Sequence, residues 1–259
     1  MCKMKKLFFL SFIFFLVASV TFAQKKRVAV VTFYADKYIN ANKIEEGSRQ
    51  ATYEKTKEDD PRFDLRPILE DFHTTFMKKY VKEFPFEIVP EDEIINNPMY
   101  KAYKGLDGVE DQDEMDDLSE AIHDRFIAID GYNVLLTGGN MLRSWRTESH
   151  LLKILEDVDI DGVMFVSMSY AWEPKVALGG LGNAGIRSYI TMDLFNKEAK
   201  KVFNLEEYAT SKKGVALVSG APILNYDKLM PMCANATEEL LDDLNKKLPK
   251  YVKKVDKKL

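Results

Sequence analysis

Cysteine, histidine and long apolar runs are all scarce in this sequence, and each scarcity excludes something. Cys2 and Cys233 are the only cysteines in 259 residues. Cys2 belongs to an N-terminal segment with the pattern of a removable signal, so Cys233 would stand alone and no intramolecular disulfide could form. The fold must then be held by its core. The three histidines, His73, His123 and His150, fall on three different predicted helices. They make no H-x-x-x-H or H-E-x-x-H pair, so no zinc motif is present. No G-x-S-x-G nucleophile elbow occurs either, and no internal repeat. Cys233 lies on a predicted helix face, where inert packing is the expected role.

The one long apolar run is at the N-terminus. Lys3, Lys5 and Lys6 precede the apolar core Leu7 to Val17, and Thr21-Phe22-Ala23 forms a small-residue exit. Residues 1–23 therefore read as a signal peptide cleaved near Ala23, with export to a periplasmic or extracellular space. The run is short and early for a transmembrane helix, an uncleaved anchor being the competing reading, and Cys2 is misplaced for a lipid anchor. Loss of Lys3, Lys5 and Lys6, with no acid among residues 1–23, takes Lys and Arg from 37 to 34 against 41 acids. The formal charge moves from −4 to −7. An acidic exported chain is not built for nucleic acid. Residues 24–259 suffice for a single α/β domain.

Within that domain the element signals alternate. Arg27 to Phe33 is a short apolar strand, and 35–60 reads as a polar loop or insertion. Leu65, Ile68, Leu69, Phe72, Phe76, Tyr80 and Phe84 put one apolar face on a helix from Asp64 to Phe84, stopped by Pro85. Phe86 to Pro90 is a second strand. Residues 96–117 read as a second irregular segment, punctuated by Asn97-Pro98 and Gly105/Gly108. A helix is expected from Met115 to about Ile129 and another from Arg146 to Asp157. Val163 to Val166 forms the central strand, covered on both faces, with its outer end beyond Ser167 leaving cover. Ile186 to Phe195 alternates with period two and pairs with Lys201 to Thr210 as an antiparallel hairpin. Asn225 caps a C-terminal helix carrying Leu229, Cys233, Ala236, Leu240, Leu244 and Leu248, which Pro249 ends or kinks. The expected fold is α/β, bordering on α+β. It has a mixed sheet of about five strands, a C-terminal antiparallel hairpin and flanking amphipathic helices.

Two motif matches fail on context. Gly180-Leu-Gly-Asn-Ala-Gly185 fits the dinucleotide-binding G-x-G-x-x-G, but a strand follows it where a helix N-terminus must receive the pyrophosphate. It reads instead as a flexible strand-to-strand loop. Asp157 to Gly162 fits the first half of a calcium loop, but Met168 stands where the bidentate carboxylate is required. Neither a cofactor nor a metal is implied. The acidic run Asp107, Glu110, Asp111, Asp113, Glu114, Asp116 and Asp117 is a divalent-cation alternative to a solvated helix start. Tyr170 and Trp172, with Gly180, Gly182 and Asn183, form the candidate ligand or partner surface at the end of the central strand, core packing being the competing role for Tyr170. The tail lysines 246, 247, 250, 253, 254, 257 and 258 read as a solvated helix end or as a peripheral contact with anionic membrane.

The succession Val28 to Phe33, amphipathic helix, Phe86 to Pro90, Asp161 to Val166 and a hairpin with Asp193 before its turn resembles a recurring envelope module. It is similar to the amino-terminal domain of the Tol–Pal periplasmic protein TolB and to the periplasmic domain of curli-secretion lipoproteins. The resemblance spans most of residues 27–255 and rests on element order. It implies a mixed sheet flanked by helices, serving binding and assembly. The expected function is thus a non-catalytic envelope module that binds another envelope protein or itself. The alternatives are an envelope hydrolase with a site near 169–185 and a cation-binding protein using 107–117.

Overall fold

A computed structural model describes residues 25–41, 43, 62–107, 109–137, 147–178, 180–223, 225–255 and 257–259. The expected signal peptide and most of the 35–60 segment lie outside these residues. Among the described residues the fold is α/β, with six α-helices and a mixed sheet of eight strands.

Strand β1 (Arg27–Asn40) lies between β2 (Glu87–Ile88) and β4 (Gly162–Leu178), parallel to both. Strand β3 (Phe126–Ala128) pairs antiparallel with the far end of β1. Next to β4 comes antiparallel β5 (Leu181–Asn196), whose outer edge is shared by β6 (Lys201–Thr210) and β7 (Val215–Val218); β8 (Ala221–Pro222) closes the order beside β7. Eight strands replace the expected five because β3, β7 and β8 have only two to four residues. Runs that short carry too little alternation to be recognised.

The expected loop from residue 35 is corrected at its start. Strand β1 continues to Asn40, with Ala35 and Ile39 fully buried between polar neighbours. The second irregular segment is corrected too. Asn97-Pro98 opens a helix, α3 (Pro98–Ala102), in which the Asn97 side chain accepts from the amides of Met99 and Tyr100. This is the pairing of an N-cap with a proline at the first helical position.

Two layers of helix cover the sheet. On one face lie α1 (Arg66–Lys78) and α6 (Tyr226–Tyr251). Leu69, Phe72 and Phe76 of α1 and Leu229, Cys233, Ala236, Leu240 and Leu244 of α6 share a core with Phe33, Met164, Val166, Ile190 and Leu194. Helix α1 ends at Lys78, and the predicted last turn tightens to a 3-10 helix over Tyr80–Glu83. Phe84, forced out of helical geometry by Pro85, takes φ −73° and ψ 141°. Helix α6 passes Pro249 and stops at Tyr251, with its Asn225 side chain accepting from the Asp227 amide as expected.

On the opposite face lie α2 (Glu91–Ile95), α3, and α5 (Thr147–Ile154). Ile94, Tyr100, Leu151 and Leu155 pack against Ala29, Val31, Val163, Phe165 and Phe195. Helix α4 (Gln112–Arg125) is capped by Asp111 and packs Ile122 near Leu106 and Val134. Its expected last turn is instead β3. Val163 to Val166 is therefore covered on both faces, as the apolar run requires. Gly162 is the first residue of β4; a β-carbon there would lie 2.4 Å from the Phe195 carbonyl oxygen. No helix among the described residues is long and apolar enough to cross a membrane.

Candidate functional site

Among the described residues, cover on the second face ends where β4 and β5 pass Ser167 and Thr191. Residues directly opposite one another in a sheet share a face, so the register gives the composition of what is left open. Ser167 stands opposite Thr191, Ser169 opposite Tyr189 and Ala171 opposite Arg187. On β6, Tyr208 stands opposite Tyr189, and Thr210 opposite Arg187. This middle zone is polar and tied across strands. Arg187 Nη2 is 2.8 Å from Glu173 Oε1, Lys43 Nζ is 2.7 Å from Glu173 Oε2, and the Arg187 guanidinium lies 4.5 Å from the Tyr208 ring centre. At the covered end, the buried Asp193 carboxylate accepts from Lys201 Nζ and Asn204 Nδ2, each at 2.8 Å.

At the other end the same face turns apolar. Leu178 pairs with Leu181 and Val176 with Asn183 across the β4–β5 hairpin. Asn183 pairs with Ala216, and Gly182 with Leu217, across β5 and β7. Val218 then pairs with Ala221, and Ile223 donates to the Ala216 carbonyl at 2.9 Å. One row is thus Leu178, Leu181, Val218 and Ala221; the next is Val176, Asn183, Ala216 and Ile223. Leu178 is 84% exposed, Val176 68%, Leu181 62% and Ile223 53%. The reverse side of this lobe is closed, with Ala184, Val215, Leu217 and Pro222 buried. Tight turns fix it: Gly180 has φ +77° between β4 and β5, and Ser219 and Gly220 are both left-handed between β7 and β8.

The candidate surface drawn from sequence is divided by this geometry. Gly180, Gly182 and Asn183 belong to the exposed lobe. Tyr170 and Trp172 do not: they are buried on the opposite face with Ile186 and Cys233, at 1% and 0% exposure. Strand parity was the signal, because Met164, Val166, Met168, Tyr170 and Trp172 are in phase and all point to the α1–α6 side. Tyr170 Oη is 2.8 Å from Thr237 Oγ1, which is 3.1 Å from Ser188 Oγ. Burial pushes the Tyr170 hydroxyl far above its ordinary range. The Trp172 indole nitrogen is buried with no hydrogen-bond partner among the described residues.

The loose loop expected over 179–185 is also corrected. Gly182 and Gly185 lie inside β5, pairing with Ala177 and Glu173. Glycines erase the side-chain alternation by which a strand is recognised. A strand following Gly180 agrees with rejecting the dinucleotide motif.

The histidines lie toward the other half of the sheet. His73 Nε2 is 2.7 Å from Glu91 Oε1, which also accepts from Tyr132 Oη at 2.7 Å, and the His73 ring meets Phe33 edge-on at 5.0 Å. Burial opposes ionisation of Glu91, but the two bonds outweigh it and hold its carboxyl below the ordinary range. His150 Nδ1 is 2.7 Å from Asp107 Oδ1, and Tyr103 donates to the other oxygen of the same carboxylate. Glu148 is buried beside them; burial and the nearby Asp193 and Asp107 raise its carboxyl, against its own backbone amide and Lys201. His123 is exposed on α4. Cys233 is fully buried, and burial drives its thiol far upward, which makes it inert packing.

In the acidic run, Asp111 is the α4 cap, Asp107 holds His150, and Asp116 accepts from Gln112 at 3.0 Å. Among the described residues no group of three or more His, Cys, Asp or Glu is arranged to hold a metal ion. In the half-loop Asp157 to Gly162, Asp159 takes φ 51° and Asp161 Oδ2 accepts from the Arg27 amide at 2.8 Å, tying the entry of β4 to that of β1. Sequence reasoning also missed a groove of about 710 Å³ between α1 and α6, lined by Ile68, Asp71 and Thr75 facing Ala234, Glu238 and Leu241. Ala234, Glu238 and Leu241 follow one another at four- and three-residue steps, which puts them on one face of α6 and was the available signal. No protein-family model and no curated protein matches the chain.

Proposed function

We propose that this protein is an exported envelope module that acts by binding rather than by catalysis, with the apolar lobe at the end of β4, β5, β7 and β8 as its contact surface. The observation that carries the reading is the contiguity of Val176, Leu178, Leu181, Val218 and Ile223 on one exposed sheet face. Scattered apolar residues on a surface need no explanation, but a contiguous patch on otherwise well-buried strands marks an interaction site. A sheet with helices on both faces supports the resemblance to TolB-type and curli-secretion modules, and the residue 1–23 pattern supports export. In this reading the carboxylate–histidine pairs serve as cross-links between α1, α2, α5 and the segments beside them.

The test is a photo-reactive amino acid at Leu181, activated in the native cells. A reproducible adduct is expected, absent when the probe replaces the exposed Glu206 on β6. Absence of any adduct at Leu181 would overturn the reading.

A further inference from the structure

Two patches of opposite charge stand open on the α1–α6 side of the sheet. Phe63 meets the Tyr226 ring at 6.4 Å, and Tyr80 Oη donates to the Leu241 carbonyl at 3.0 Å, so α1 and α6 run side by side in the same direction. Thr75 and Ala234 are too short to close the space between them, which leaves the groove of about 710 Å³. Ile68 and Ala234 are among its apolar lining residues, Asp71 stands on the α1 wall, and Glu238 and Asp242 stand one turn apart on the α6 wall. All three acids are exposed and have no ion pair or side-chain hydrogen bond among the described residues. Lys79 is the one cation in the lining, and Lys212 is held by neighbouring Glu239 at 2.5 Å. The second patch follows on the same helix. Lys250, Lys253 and Lys257 are exposed in and beyond the last turn of α6, again unpaired among the described residues, whereas Lys246 reaches Asp243 and Lys247 reaches Glu207.

We infer that the lysine-bearing end of α6 of one copy docks in the α1–α6 groove of a second copy of this chain. The inference goes beyond the lobe and makes no use of it. Charge and spacing both match. Glu238 and Asp242 are four residues apart and Lys250 and Lys253 three, so each pair lies on one side of its helix at a separation of about 5–6 Å. A lysine stem can lie along Ile68 and Ala234 while its ammonium reaches a carboxylate on either wall. Walls built from helices offer no free backbone groups to an extended strand, which makes a helix the fitting occupant. Pairing within one copy is excluded by geometry. Asp242 and Lys250 stand on a single helix, separated by about 12 Å along its axis, and Lys253 lies farther on. The two patches can therefore meet only between molecules. The contact joins two different surfaces and is heterologous.

The experiment is sedimentation equilibrium of the processed chain over a range of concentrations. Self-association is expected at low ionic strength and should weaken about fivefold or more at high ionic strength, where exposed charges are screened. Glu238→Lys with Asp242→Lys, and separately Lys250→Glu with Lys253→Glu, should each lower the association constant about tenfold or more, since like charges then face each other. Mixed in equal amounts, the two variants should associate again, because each supplies the charge that the other's altered patch now requires. That rescue also shows that both variants are folded. Asp113→Lys with Asp117→Lys on α4 should leave association unchanged, as should Leu178→Asp with Leu181→Asp on the lobe. A parent chain that stays monomeric overturns the inference, as does undiminished association of either reversed variant. A mixture that stays monomeric overturns it too. Loss of association in the lobe variant would move self-contact to the lobe: the groove assignment then falls and the contact surface stands.

Discussion

Lys175 crosses Gly185 so closely that a β-carbon on Gly185 would stand 2.6 Å from the lysine Cε. Beyond that crossing, the Lys175 ammonium meets the carbonyl oxygens of Ser211, Lys212 and Lys213 at 2.5, 2.7 and 3.1 Å. The glycine read from sequence as part of a mobile loop is thus the space through which a lysine ties β4 to the β6–β7 connection. The exposed lobe owes part of its shape to this tie.

Replacement of Gly185 by Ala should displace the flexible lysine rather than the backbone, so its cost is the cost of the lost tie. Lys175→Met should cost the same, about 1 kcal/mol for charge-assisted bonds at a partly exposed site. The two substitutions together should cost little more than either alone, because they remove one interaction. Urea denaturation of the two single variants and the double variant checks this. Proteolysis within 211–214 should quicken in all three.

Beneath α6, one threonine holds two hydroxyls. Thr237→Val leaves the buried Tyr170 and Ser188 hydroxyls without the partner that both now share, and should cost about 1–3 kcal/mol in chemical denaturation. Tyr170→Phe should cost less, about 1 kcal/mol, since Ser188 and Thr237 keep each other.

How much of this was legible in the sequence depended on whether side chains kept their period. The α1 stripe, the Val163 to Val166 run, the 186–195 and 201–210 pair and the Asn225 cap all carry unbroken patterns, and all are found. The errors fall where the pattern was erased or misread. Glycines at 182 and 185 interrupted the alternation of β5. Polar Asp36 and Lys37 disguised the last third of β1, although Ala35 and Ile39 point inward. Tyr170 and Trp172 looked like the rim of a site because they are large, while their even-numbered phase with Met164 and Val166 placed them in the core. The exposed lobe was harder to foresee: it depends on β7 and β8 lying beside β5, and strand order is not written in local composition.

Two glutamates titrate in opposite senses, and this gives a paired prediction. For Glu148, burial and the neighbouring Asp193 and Asp107 raise the native carboxyl above its unfolded value of 4.5. The native state then holds a proton more firmly than the unfolded chain, so its contribution falls as pH rises from the ordinary carboxylate range through the raised native value. Glu148→Gln should therefore stabilise the protein at neutral pH, with the gain shrinking toward zero below pH 4.5. Glu91 behaves in the reverse way. Burial opposes its ionisation, but the bonds from His73 and Tyr132 prevail and depress the native carboxyl. Its contribution is present above the unfolded value and is lost as pH falls through the lower native one. Glu91→Gln should cost about 1 kcal/mol at neutral pH, converging on the parent in acid. Thermal unfolding of the parent and both variants from pH 3 to pH 8 checks the pair. Parallel rather than diverging curves would show that neither carboxyl senses the environment the fold gives it.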